Sequence, residues 1–191
     1  KAMVANGKGI LAIDESHATC KQRFDSLGID CTEDTRRAYR QMLITAPGIE
    51  QYVSGMILFD ETIRQHTQDG VAFVELFKKK GMIPGIKVDT GAKPLALHDG
   101  ELVTEGLDGL RGRLHEYREM GAQFAKWRAV INIAEGLPSK GAIKANAHAL
   151  ARYAALCQEA ELVPMVEPEI MMDGNHSIEK CYEVTAEVLK V

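Results

Sequence analysis

The chain has 191 residues, 46% hydrophobic and 26% charged, with a net charge of −4. That length can bury a real core, while the mild acidity and the lack of a basic tract give no footing for a nucleic-acid surface. No apolar stretch approaches the roughly 18 residues of a membrane span, and no charged-then-apolar leader points to secretion.

The first residue, Lys1, reads as a start internal to a longer chain. Cys20, Cys31, Cys157 and Cys181 form no C-x-x-C pair. They read as reduced thiols of a cytosol-like compartment. The six histidines have no ligand-like spacing, so zinc has no support.

Five short apolar segments read as strands: GILAID (9–14), GMILFD (55–60), GIKVD (85–89), FAKWRAVI (124–131) and LVPMVEPEI (162–170). None shows strict polar alternation, as expected of parallel strands covered on both faces. Amphipathic runs lie between them. Thr32 caps a predicted helix whose first turn holds Glu33 and Asp34, and Pro47-Gly48 ends it. Leu107, Leu110, Leu114 and Tyr117 recur at helical spacing over about 105–120, and Gly121 closes that segment. Ser139 caps an Ala-rich helix to about 160, with Ile143, Leu150, Ala154 and Cys157 inward, and a last helix covers about 177–190.

This alternation predicts an α/β fold with a parallel sheet. No G-x-G-x-x-G follows the first strand and no P-loop occurs, which demotes a nucleotide-binding open sheet. The strand ends carry the charges: Asp14-Glu15, Asp60-Glu61, Lys87 with Asp89, Lys126 with Arg128, and Glu167 with Glu169. A TIM (β/α)8 barrel places catalytic groups there, from several strands at once. The expectation is one incomplete barrel domain over residues 1–191, holding about the first five β/α units.

In a strand, residues two apart share a face. Lys126 and Arg128 therefore share one face and Ala125 and Trp127 the other, and Glu167 and Glu169 likewise share a face. Like charges so close on an apolar strand are unfavourable unless opposite charge or substrate lies nearby. Asp14, Lys87, Lys126, Arg128, Glu167 and Glu169 form a balanced set suited to proton transfer at a carbonyl or imine, with a phosphorylated substrate held by cations. The same set also reads as a structural ion-pair network. Trp127 reads as packing, His17 as a loop histidine without a partner, and Arg36-Arg37 as solvated helix surface.

GKGILAIDES, GMILFDET, GIKVDTG, TEGLDGL, GAQFAKWR, LARYA and LVPMVEPEI, in this order, resemble the class I fructose-1,6-bisphosphate aldolase family across essentially the whole chain. The resemblance implies a (β/α)8 barrel and an aldehyde-lyase of glycolysis that works through a lysine Schiff base, with no metal or other cofactor. The implied substrate is fructose 1,6-bisphosphate, cleaved to dihydroxyacetone phosphate and glyceraldehyde 3-phosphate.

By the same resemblance Glu167 is the acid/base of imine formation. Lys126 stands beside the imine, and Asp14 handles the substrate hydroxyl proton. Lys87, Ser16 and Thr19 hold the phosphate of the aldehyde-product end, Arg23 contacts phosphate, and Arg128 and Glu169 complete the charge pairing. The family loop Ser-Thr-Gly-Ser reads Ser16-His17-Ala18-Thr19 here, keeping a hydroxyl at Thr19. The nucleophile's Glu-Gly-x-x-Leu-Lys-Pro context does not occur in these residues. The chain is therefore expected to be the N-terminal portion of the enzyme and inactive alone. A homo-oligomer, commonly a tetramer in the family, and a cytoplasmic location, with the plastid stroma as alternative, also follow from resemblance; no nucleic-acid or membrane partner is expected.

Two other readings compete. A metal-dependent barrel lyase would use Asp14, Asp60, Asp89, Glu167 and Glu169 as ligands, against the interleaved Lys87, Lys126 and Arg128. A non-catalytic truncated scaffold would dock a partner on its open sheet edge.

Overall fold

The computed structural model describes residues 1–5 and 7–191. In chain order the elements are β1 (Gly9–Ala12), α1 (His17–Asp25), α2 (Glu33–Thr45), α3 (Ile49–Tyr52), β2 (Val53–Leu58), α4 (Asp60–Ile63), α5 (Phe73–Lys80), β3 (Ile83–Lys87), β4 (Gly91–Pro94), β5 (Leu102–Glu105), α6 (Leu110–Met120), β6 (Phe124–Ile131), α7 (Lys140–Glu159), β7 (Val163–Ile170) and α8 (Ile178–Val188). They fall into two compact units, Lys1–Lys87 with Glu116–Ala125, and Val88–His115 with Lys126–Val191.

In the first unit β1, β2 and β3 form parallel ladders, with Leu11 opposite Met56 and Met56 opposite Pro84. Every residue of β2 is buried. A strand between two parallel neighbours, covered on both faces, needs such an uninterrupted apolar run. Close packing also dictates a glycine in β3: a Cβ on Gly85 would stand 2.2 Å from the Phe124 ring, which is itself fully buried.

The helices of this unit start where side chains satisfy free N–H groups. Ser16 caps α1, accepting from the Thr19 N–H. Thr32 caps α2 in a reciprocal box with Thr35, and Glu33 and Asp34 occupy the positive first turn. The helix ends at Thr45, just before Pro47-Gly48, as the sequence predicts.

Arg36 corrects the expectation of solvated surface. Its side chain is 13% exposed and bonds both oxygens of Glu61, at 2.6 and 2.8 Å. His17 also has a partner after all: Nε2 lies 3.2 Å from Glu61 Oε2, and its ring meets Phe59 edge-on. Arg37 behaves closer to expectation, reaching Asp34 and Gln41.

In the second unit β4 and β5 form an antiparallel hairpin that the sequence reading did not separate. Its strands have four residues each, and one ends in Pro94, too short to show a period. The helix expected from about 105 starts instead at Leu110. Gly106 and Gly109 take positive φ, which interrupts a right-handed helix, and Leu110 N–H closes a turn onto Leu107 O. Gly106 is also a site of close approach: a Cβ there would lie 3.0 Å from Thr90 N and 3.3 Å from Trp127.

Ser139 caps helix α7, as predicted, and the buried Glu101 side chain meets the same end. The Glu101 carboxylate accepts from Ser139 N–H at 2.7 Å and from its hydroxyl at 2.6 Å. Ile143, Leu150 and Cys157 are buried along the helix, with Ala154 partly covered. Ile131, Ile133, Ile143, Val184 and Val188 form one apolar cluster, with Ile170 and Cys181 against it. All four cysteines are free thiols, and burial pushes the Cys157 thiol up to about 12.

Two measurements test this packing. Gly85→Ala should lower stability by about 1–3 kcal/mol through overpacking, seen as a lower urea midpoint at unchanged slope. Hydrogen bonding from Arg36 holds the Glu61 carboxyl below its ordinary 4.5. A depressed folded pKa gives stability that is complete above the unfolded value and is lost as pH falls through the folded one. The stability gap between wild type and Glu61→Gln should therefore be widest at neutral pH and close progressively in acid urea titrations below about pH 4.5.

Candidate active site

The sequence-predicted residues are divided between the units. Asp14, Ser16, Thr19, Arg23 and Lys87 lie in the first, and Lys126, Arg128, Glu167 and Glu169 in the second.

In the second unit the strand pattern acts as expected. Along β6, Phe124, Ala125, Trp127 and Ala129 are buried while Lys126 and Arg128 are partly open. The covered face carries Trp127, fully buried, its ring 5.5 Å from that of Tyr153 on α7. The Tyr153 hydroxyl donates to Met165 O on β7 at 3.2 Å, and burial pushes its pKa well up. This tryptophan is packing, not a contact surface for a ligand.

On the open face the charges pair with β7. Lys126 Nζ lies 3.5 Å from Glu167 Oε1, with side chains 11% and 33% exposed. Arg128 Nε donates to Glu169 Oε2 in a close charge-assisted bond. Both pairs span the same 41 positions, so each cation of β6 meets the carboxylate at the matching place on β7. Glu169 raises the Arg128 pKa mainly through that bond.

The backbone beneath these pairs is tied in place. Arg128 N–H donates to Asp89 Oδ2 at 3.2 Å, and Asp89 Oδ1 accepts from Gly91 N–H at 3.1 Å. Thr104 donates its hydroxyl to Arg128 O at 2.8 Å, and buried Asn146 accepts from Thr104 N–H while donating to Leu102 O. Asp89, noted in the sequence only as a strand-end charge, is thus a brace for the Arg128 backbone.

In the first unit Asp14 is 8% exposed, immediately after β1. Ser16 and Thr19 come together at the start of α1, their hydroxyl oxygens 3.1 Å apart. Lys87 is the last residue of β3. Arg23 lies on the solvent side, and its guanidinium is engaged with Glu15 in a close ion pair.

Glu15, noted in the sequence only as a strand-end charge, is a hub of this unit. It also accepts from the Tyr39 hydroxyl at 3.0 Å and lies 3.1 Å from Arg40 NH2. Arg40 is 2% exposed, and its Nε and NH2 donate to Ile13 O and Glu15 O at 2.6 and 2.8 Å. The available signal was periodicity. Arg40 lies one helical turn before buried Ile44, on the inward stripe of α2, where a bare charge demands a partner.

Among the described residues no cluster of three or more His, Cys, Asp or Glu is arranged to hold a metal ion. No described helix is long and apolar enough to cross a membrane.

The profile of the family "Fructose-bisphosphate aldolase class-I" matches residues 1–191. The chain is 66% identical over 190 residues to a probable fructose-bisphosphate aldolase class 1 of Xanthomonas campestris pv. campestris, covering 100% of this chain and 57% of that protein. It is 55% identical to the cytosolic fructose-bisphosphate aldolase 4 of Arabidopsis thaliana, covering 96% of this chain and 47% of the relative. A solved structure of Plasmodium falciparum fructose-bisphosphate aldolase, in complex with TRAP and a small-molecule inhibitor, superposes with a TM-score of 0.96 at 47% identity, over 98% of this chain and 55% of that one.

The chain thus spans about half the length of these relatives. Its fold class is the α/β TIM-barrel fold of that aldolase, of which this chain carries a part. By a family match over its whole length, the chain belongs to the class I fructose-bisphosphate aldolases.

Proposed function

We propose that the protein carrying this chain cleaves fructose 1,6-bisphosphate reversibly to dihydroxyacetone phosphate and glyceraldehyde 3-phosphate through a lysine Schiff base. The observation that carries this reading is the Lys126–Glu167 pair at 3.5 Å, mostly withdrawn from water and set in the FAKWR and VEPEI segments of the family. A carboxylate beside an ammonium can take and return protons while the ammonium stabilises developing negative charge.

In this reading Glu167 gives a proton to the carbinolamine hydroxyl, which leaves as water, and the imine forms. Lys126 keeps the neighbouring nucleophilic amine uncharged by electrostatic repulsion. Asp14 takes the proton from the substrate hydroxyl as the carbon–carbon bond breaks, and the bonding electrons pass to the imine. Ser16 and Thr19, with Lys87, bind the phosphate of the aldehyde-product end. That role is supported by the hydroxyl pair at the start of α1, where free N–H groups favour an anion. Arg23 serves the same phosphate once it shares its charge between Glu15 and the ligand. Arg128 and Glu169 hold the strand-end geometry.

We further propose that the nucleophilic lysine lies outside these 191 residues, which lack the Glu-Gly-x-x-Leu-Lys-Pro context, and that they are inactive alone. The family's homo-oligomeric assembly is part of the same proposal, as is a cytoplasmic location, which a cytosolic relative supports, with the plastid stroma of a chloroplastic relative as the alternative. The metal-lyase reading loses ground because Lys126 and Arg128 are paired with two of its would-be ligands.

Borohydride trapping with dihydroxyacetone phosphate, followed by peptide mass mapping, tests the reading. The full-length gene product should yield one lysine adduct and the 191-residue chain none. An adduct on any lysine of this chain would overturn the assignment, as would loss of activity in EDTA. In the full-length product Glu167→Gln should lower kcat by about 10²–10⁴-fold, with borohydride capture slowed in parallel.

A further inference from the structure

A carboxylate at the end of a strand is aimed only as well as the backbone on either side of it is held. Up to Ile13 the ladder does this, since Ile13 N–H bonds Ile57 O at 3.0 Å. Beyond it the chain leaves the sheet, and two residues, Glu15 and Ser16, separate Asp14 from helix α1.

Arg40 spans this gap. Its Nε donates to Ile13 O at 2.6 Å and its NH2 to Glu15 O at 2.8 Å, so one guanidinium grips the carbonyls on both sides of Asp14. NH1 reaches Cys20 Sγ at 3.1 Å, anchoring the same group to α1. NH2 also lies 3.1 Å from Glu15 Oε2, which supplies the counter-charge, and Tyr39 and Arg23 hold Glu15 in turn.

Nothing about packing alone requires a charge at 2% exposure, because apolar side chains fill such a volume without desolvating an ion. What apolar residues cannot do is donate along several fixed directions in one plane.

We propose that Arg40 is a positioning residue for Asp14, a planar clamp that fixes the carboxylate for its part in carbon–carbon cleavage. This rests on the functional reading above, in which Asp14 acts at the cleavage step and not in forming the imine. Lysine keeps the charge but presents a single nitrogen, so it cannot grip both carbonyls in the same geometry.

The test uses Arg40→Lys in the full-length gene product, with three readouts: fructose 1,6-bisphosphate cleavage, borohydride capture of dihydroxyacetone phosphate, and thermal unfolding. Cleavage kcat should fall by about 10- to 100-fold, as for a small misplacement of a catalytic group, while capture stays within about twofold of wild type. Adding Arg40→Lys to Asp14→Asn should cause no further loss, because a clamp has nothing left to position.

A folded Arg40→Lys protein with wild-type cleavage overturns the inference, and so does an equal loss of cleavage and capture. Where Arg40→Lys alone does not fold, Arg40→Lys/Glu15→Gln is compared with Glu15→Gln, since neutralising Glu15 removes the buried carboxylate that lysine would leave poorly paired. The same split between cleavage and capture is expected, and its absence overturns the inference. A wild-type protein that neither cleaves nor captures overturns the functional reading itself; a wild type that does both, with an unaffected Arg40→Lys, sinks only the clamp.

Discussion

The second unit depends on one constraint: β6 carries two cations on one face, two residues apart, and its opposite face is buried beneath α7. The strand cannot slip by one residue to relieve their repulsion. A slip would bury Lys126 and Arg128 and expose Trp127, because the period of a strand is two. The relief comes from β7, which offers Glu167 and Glu169 at the same spacing. Register, side-chain alternation and charge pairing thus specify one another. Stability alone does not account for the pairs, since Arg128 and Glu169 are 40% and 41% exposed and such bridges contribute little in water.

The first unit solves a harder version of the same problem. Arg40 has no exit to solvent, so its charge is tolerable only with a close carboxylate and a full set of acceptors. Glu15, two backbone carbonyls and a thiol provide them. The strand-end loop and two helices are therefore tied through one guanidinium. A surface pair such as Arg111 with Glu159 has no comparable consequence, since both its members are well exposed.

The strand and helix order was legible because buried parallel strands and capped helices leave strong local marks. The runs at 55–60 and 124–131, the caps at Thr32 and Ser139, and the pairing implied by FAKWR and VEPEI all depend on neighbours along the chain. What could not be read depends on partners distant in sequence. Arg36 looked like surface because its partner, Glu61, lies 25 residues away. Arg40 was passed over for the same reason, with Ile13 O 27 residues behind it. The β4–β5 hairpin was missed because four-residue strands carry too few side chains to show alternation.

Under the proposed function the two rungs between β6 and β7 are not equivalent, and the difference is chemical. Arginine does not deprotonate in proteins, so the Arg128–Glu169 rung is a fixed ion pair whose proton inventory never changes. Lysine and glutamate, here 3.5 Å apart, are by contrast side chains that exchange protons with a substrate in acid–base catalysis. The deeper rung, with Lys126 only 11% exposed, is also the one less screened by water. A proton shuttle belongs there, and the arginine rung beside it supplies a pairing whose charge stays fixed. Exchanging the two cations would preserve the charge count of the face and the strand alternation, yet would put the immovable pair where protons must pass.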